Sequence, residues 1–251
     1  MQNLKVAPYN IWSGRNNIEP QTRNYNWTAE VIAEIAPDII GLQEVGKQPC
    51  CGFPPCDFEE EVPDFLGKKT GMYAYYAPAL WREGYGYGNA ILSKYPIRTA
   101  KTVNIPKVRP EDEQRCVLVA EIDTCGGITV LVTHFGLSPE EHTRGVETVL
   151  TLTEAVKTPV IFMGDLNIMP ENEILRPLFE RFTDTAGGAL QPYTWPSAFT
   201  KYTGISEKEY GMNKERKVDY IFTSSHFITR NSATHPSLAS DHVPFVANLK
   251  L

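Results

Sequence analysis

The chain has 251 residues, 42% of them hydrophobic, enough to bury a substantial core, and at this length one domain spanning 1–251 is expected. Its 24 basic against 30 acidic residues leave a net charge of −6, which argues against a protein that grips long duplex DNA by non-specific phosphate neutralisation. No run reaches the roughly 18 consecutive apolar residues that span a bilayer, and the opening MQNLKVAPYN has neither a basic flank nor an apolar signal core. The expectation is therefore a soluble chain, a monomer without a stable protein partner, with cytoplasmic and secreted locations both open.

Leu4 to Ile11 reads as an opening strand. Asn26 to Ala36 carries Val31, Ile32 and Ile35 at helical spacing and Pro37 stops it, so a helix precedes the apolar strand Asp38 to Val45. Cys50, Cys51 and Cys56 share one loop, and a disulfide from Cys50 or Cys51 to Cys56 stands against free thiols at a surface. From Cys50 to Trp81 the Pro, Gly and Tyr content reads as long loops. Asn89 to Ile97, Arg115 to Asp123 and Ile128 to Phe135 read as strands, the last two joined by a hairpin turn at Thr124-Cys125-Gly126-Gly127. Ser138 to Val156 opens on a Ser-Pro-Glu-Glu cap and continues as a helix. After the buried run VIFMG comes a short helix over Glu171 to Phe179, then three strands in VDYIFTS, HFITR and VPFVANL. Early alternation of strand and helix with later antiparallel pairing makes the class α/β with mixed sheets.

One pattern recurs along this reading. Asn10 closes KVAPYN, Glu44 closes IIGLQE, His134 closes TVLVTH, Asp165 and Asn167 follow VIFMG, Asp219 lies in KVDYIF, and Asp241 with His242 opens DHVPFVANL. Any one of these alone is more often a turn or cap residue than a chemical one. Together they put ionisable and carboxamide groups at the rigid ends of buried strands, where a constellation can be held fixed. Carboxylates and Asn without a nearby cysteine signature are hard oxygen donors, suited to Mg²⁺ or Mn²⁺ rather than zinc. Histidines beside them add groups that titrate near neutral pH and donate to a phosphate oxygen. That is equipment for hydrolysing a phosphoester.

The blocks YNI, LQEV, GNAILS, THFGL, GDLN, VDYIF and SDHVPF, in this order from Asn10 to Phe245, resemble those of the endonuclease/exonuclease/phosphatase superfamily. These metal-dependent phosphoesterases include exonuclease III-type nucleases, bacterial sphingomyelinases, deadenylases and inositol polyphosphate 5-phosphatases. The resemblance implies a four-layer α/β/β/α sandwich: two packed mixed sheets flanked by helices, the site at one edge of both sheets. It implies Glu44 as principal metal ligand, with Asn10 beside it and Asp241 at the metal or its water shell. It also implies Asp165 as the carboxylate that orients or deprotonates the attacking water, Asn167 as a phosphate-binding amide, and His242 oriented by Asp219. On this pairing, activity should change across neutral pH. His134 in its Thr-His context resembles the sphingomyelinase, deadenylase and small phosphodiesterase branches. Trp12 stands where abasic-site nucleases often have an Asp, so DNA repair is disfavoured.

Asn89 is a further substrate-binding candidate against a reading as a strand-start residue, and Arg144 one against a solvated helix face. The aromatic residues of Met72 to Gly88 suit stacking on a base, a lipid interface or core packing. The expected function is Mg²⁺-dependent hydrolysis of a phosphoester, most of all a phosphodiester, by in-line attack of an activated water. A nucleic acid or nucleotide is the first substrate class. A phospholipid or inositol phosphate is the alternative, and an inactive binding module on the same fold a remoter one.

Overall fold

The computed structural model of the chain describes residues 2–19, 21–47, 60–197 and 215–251. The cysteine loop and its candidate disulfide lie outside these residues. In chain order the elements are β1 (Asn3–Asn10), α1 (Tyr25–Ile35), β2 (Ile39–Gly46), α2 (Val62–Thr70), β3 (Tyr73–Arg82), β4 (Tyr85–Ser93), β5 (Ile97–Asn104), β6 (Cys116–Ile122) and β7 (Ile128–His134). There follow α3 (Pro139–Thr153), β8 (Val160–Asp165), α4 (Arg176–Arg181), β9 (Thr183–Asp184), β10 (Asp219–Thr223), β11 (Ile228–Thr234) and β12 (Phe245–Lys250). Among the described residues no helix is long and apolar enough to cross a membrane.

The strands form two six-stranded sheets, ordered β11-β12-β1-β2-β4-β3 and β5-β6-β7-β8-β10-β9. Each is mixed: β1 runs parallel to β2 and β7 parallel to β8, while the neighbouring pairs are antiparallel. Strand alternation sorts the side chains into layers. Leu4, Val6, Ile39, Val130, Val132, Ile161, Met163 and Ile221 meet between the sheets. Their neighbours Ala7, Tyr9, Ile40 and Leu42 pack instead against Ile32 and Ile35 of α1 and Leu66 of α2. Leu131, Phe162 and Phe222 pack against Val146 and Val149 of α3 and Leu178 of α4. The order helix, sheet, sheet, helix is the four-layer sandwich that the family resemblance implies. The sheets approach closely at Gly41, where a Cβ would lie 2.8 Å from Val132.

The segment expected to be long loops up to Trp81 holds a helix and a strand instead. Pro63 in the first turn and a left-handed cap at Gly71 delimit α2, and Tyr, Ala and Trp then extend as β3. Aromatic residues suit a strand, and β3 lies at a sheet edge, so its partly exposed face hid the alternation. β5 is likewise a half-exposed edge strand without an apolar run, and the two-residue β9 is too short to carry a pattern. The expected α3 forms with both halves of its capping box, Ser138 and Glu141.

Candidate active site

The site continues the inter-sheet layer at one end of the strands. Asn10 shares the inward parity of Leu4 and Val6, His134 that of Val130 and Val132, Asp165 that of Ile161 and Met163, and Asp219 that of Ile221. His134, Asp165 and Asp219 are moreover direct cross-strand partners on β7, β8 and β10. Glu44 breaks this rule: alternation would send it with Ile40 and Leu42 towards the helices. A bulge in β2 between Leu42 and Val45, with Glu44 at φ 54°, returns Val45 to the helix side and aims Glu44 inward.

The Asn10 amide Nδ2 donates to Glu44 Oε1 and to Asp165 Oδ2, both at 3.0 Å, and so joins the two sheets. Asp165 Oδ2 lies 3.5 Å from His134 Nε2 and 3.7 Å from His242 Nε2. His242 Nδ1 bonds Asp219 Oδ2 at 2.9 Å. Asp241 and His242 do not open the last strand but precede it, in a loop pinned by Ser240, whose hydroxyl donates to the Asn10 carbonyl (2.7 Å) and accepts from His242 N (3.2 Å). Trp195 Nε1 donates to Asp241 Oδ2 at 3.2 Å. Thr194 Oγ1 accepts from the backbone of Val218 and Asp219, fixing the start of β10.

The extended geometry of β8 ends at Asp165. Asn167 takes φ 54°, and its backbone N donates to Asp165 Oδ1 at 2.9 Å, a side-chain-closed turn rather than strand alternation. Its amide Nδ2 lies 3.0 Å from His134 Nε2 and donates to the Phe135 carbonyl at 3.1 Å. Gly164 makes the approach possible: a Cβ there would sit 2.0 Å from the Thr133 carbonyl oxygen.

Arg115, which no motif signals, completes the cluster. Its Nη1 lies 2.7 Å from His134 Nδ1. A guanidinium only donates, so Nδ1 accepts and the neutral ring carries its hydrogen on Nε2, on the side of Asp165 Oδ2; the Asn167 amide beside it is then a second donor, bonded to the Phe135 carbonyl and not to the ring. Burial, then the neighbouring guanidinium, hold His134 well below the usual histidine range. His242 is the opposite case: burial opposes its charge, but the carboxylates of Asp219 and Asp165 outweigh it and raise it to about 10. Burial raises Asp165 towards neutrality, to about 7. Glu44 is raised as well, first by burial and then by the charge of Asp241.

Two candidates lie elsewhere. Asn89 is buried between the sheets, where its amide donates to the Cys116 carbonyl at 3.0 Å. Arg144 lies on the exposed face of α3, paired with Glu147 at 3.1 Å. Its side chain is drawn to solvent because the buried stripe of α3 runs through His142, Gly145, Val146 and Val149.

The donor set fits a hard divalent cation. Four carboxylates (Glu44, Asp165, Asp219, Asp241) face two cationic groups, Arg115 and His242, a surplus of the oxygen donors that a hard cation takes. Asp219 Oδ1 is buried without a partner among the described residues. Ligand atoms of Asp165, Asp219 and His242 lie within 4.8 Å of one another. His242 Nδ1 is engaged by Asp219, and the carboxylate oxygens are the donors that best fit a hard cation.

Two mixed sheets flanked by helices, with carboxylates and imidazoles at their shared edge, define the sandwich fold of a phosphoesterase. The chain belongs to the Endonuclease/Exonuclease/phosphatase family, whose profile matches residues 9–242. Among solved structures it is similar to an endonuclease/exonuclease/phosphatase from Beutenbergia cavernae, with TM-score 0.78 and 22% identity over 100% of this chain and 72% of that one. It is also similar to the mannosyl-6-phosphatase of Bacteroides thetaiotaomicron (TM-score 0.71, 16% identity, 99% and 100% covered). A third similar structure is D. rerio TDP2 complexed with single strand DNA product (TM-score 0.70, 16% identity, 100% of both chains). At these identities the likeness establishes the fold. Comparison with curated proteins returned no match.

Proposed function

We propose that this chain hydrolyses phosphoesters, phosphodiesters above all, with Mg²⁺ or Mn²⁺ as cofactor. The observation that carries the reading is Asp165 Oδ2. One carboxylate oxygen is held at 3.0 Å by Asn10 and stands 3.5 and 3.7 Å from the imidazoles of His134 and His242. Glu44, with Asn10 and Asp241, would hold the metal, which when bound supplies positive charge to offset that of the phosphate. Asp165 orients the attacking water and takes its proton. His242, kept cationic by Asp219, donates from Nε2 to the charge that builds on phosphorus-bound oxygen. His134 Nε2 and the Asn167 amide supply neutral donors beside it.

The family's members act on phosphoester bonds, and similar folds include both a sugar phosphatase and a protein bound to a DNA product. That breadth sets the test. Single-stranded DNA, RNA, bis-p-nitrophenyl phosphate, sphingomyelin, inositol phosphates and a hexose 6-phosphate are assayed with Mg²⁺, Mn²⁺ and EDTA. Metal-dependent turnover of a diester is expected, and Asp165→Asn should lower kcat by about 10²- to 10⁴-fold. Turnover of no phosphoester with any divalent metal, or an Asp165→Asn variant of full activity, would overturn the proposal.

A further inference from the structure

Glu113 and Arg115 stand two residues apart in the segment that leads into β6. The loop that delivers them is closed tightly. Ile105 N donates to the Arg115 carbonyl at 2.9 Å, and the Gln114 amide donates to the carbonyls of Ile105 (2.8 Å) and Arg115 (2.7 Å). Glu113 Oε1 lies 3.2 Å from Arg115 Nη2, and its other oxygen takes Arg82 of the β3–β4 hairpin at 3.2 Å. A chain of polar contacts thus runs from Arg82 through Glu113 and Arg115 to His134 Nδ1.

The Glu113 contact is the one ion pair Arg115 makes among the described residues, and its Nε is buried without a partner. After burial, which opposes its charge, Tyr87 and Glu113 act on the guanidinium, and then, from inside the site, the charges of Glu44 and Asp165. Without a carboxylate on the outer side, the guanidinium is drawn towards those inner groups and leaves Nδ1. The ring is then free to move its hydrogen.

We propose that Glu113 is a positioning residue of this site: its carboxylate holds the Arg115 guanidinium against His134 Nδ1, so that the imidazole keeps its hydrogen on Nε2, facing Asp165 and the reacting phosphate. Its effect on rate rests on the phosphoesterase reading; its effect on the histidine does not. Arg82 supports Glu113 from an exposed position, where an ion pair is weak, and is the lesser partner.

The experiment is two-bond ¹H–¹⁵N correlation on protein labelled at histidine nitrogen, at neutral pH, with His134 assigned by its loss in His134→Asn. The native protein should show His134 as one neutral tautomer with hydrogen on Nε2. Glu113→Ala should turn this into a mixture of tautomers and lower kcat on bis-p-nitrophenyl phosphate about 10- to 100-fold with KM little changed. Glu113→Gln, nearly isosteric and able to accept one hydrogen bond, should lie between the two, and it serves where the Ala variant does not fold. Hydrogen on Nδ1 in the native protein, or an unchanged tautomer pattern in both variants, overturns the proposal. A native protein that turns over no phosphoester removes the catalytic reading alone, because the nitrogen signals still decide the role of Glu113.

Discussion

Asp165 and His242 stand 3.7 Å apart, and the two shifts have different causes: nearby carboxylates raise His242, whereas burial raises Asp165 against the lowering charge of His242. Pairing of His242 with Asp219 led to an expected change in activity across neutral pH, but the structure moves that titration to another residue. His242 is raised to about 10 and stays charged through neutrality, whereas Asp165 is raised to about 7. In metal-free protein both groups bind their proton more tightly when folded. For His242 the contribution to stability is complete below its unfolded value near 6.5 and is lost as pH rises through about 10. We therefore expect the melting temperature in EDTA to fall between those values, and His242→Gln to flatten the fall. A native protein and variant with parallel melting profiles would contradict the shift.

At the scale of the element, the site depends on two irregular strand ends. The β2 bulge turns Glu44 from the helix side to the inter-sheet side, and Gly164 lets β8 pass the Thr133 carbonyl just before Asp165. Gly164→Ala would place a methyl 2.0 Å from a backbone oxygen, so the strands must separate where the site is most demanding. A loss of about 3 kcal/mol is expected in urea unfolding, with activity falling further than stability. Ser138→Ala is the contrasting case. It removes an N-cap far simpler in its surroundings and should cost about 1 kcal/mol without a change in kcat beyond that. Equal effects of the two substitutions on kcat would contradict this account of Gly164.

The whole molecule assembles the site from both sheets, and Asn10 links them, bonded to Glu44 in its own sheet and Asp165 in the other. A ligand held by these carboxylates binds only the folded chain. Mg²⁺ or Mn²⁺ should raise the melting temperature, by the equivalent of about 2.7 kcal/mol at a hundred times the dissociation constant, and EDTA should reverse it. Glu44→Ala should abolish the effect. A melting temperature indifferent to both metals would remove the metal site irrespective of any activity assay.

The sequence by itself determined the fold class, most strands and the candidate residues, because burial imposes period-two alternation on a strand and the polar residues interrupt that alternation at strand ends. Asn10, His134, Asp165 and Asp219 were legible for this reason, each continuing the inward face of an apolar strand. Edge elements such as β3 and β5 were not, since half-exposed strands carry no strict pattern. Only the tertiary structure decided what depends on distant contacts. It set the direction of Glu44 through a bulge, the turn that brings Asn167 to His134, the burial of Asn89 and the place of Arg115, read in sequence as the first residue of a strand. The physical reason is the same in each case: alternation is local, whereas hydrogen bonds and charge are satisfied by whatever the packed sheets bring within reach.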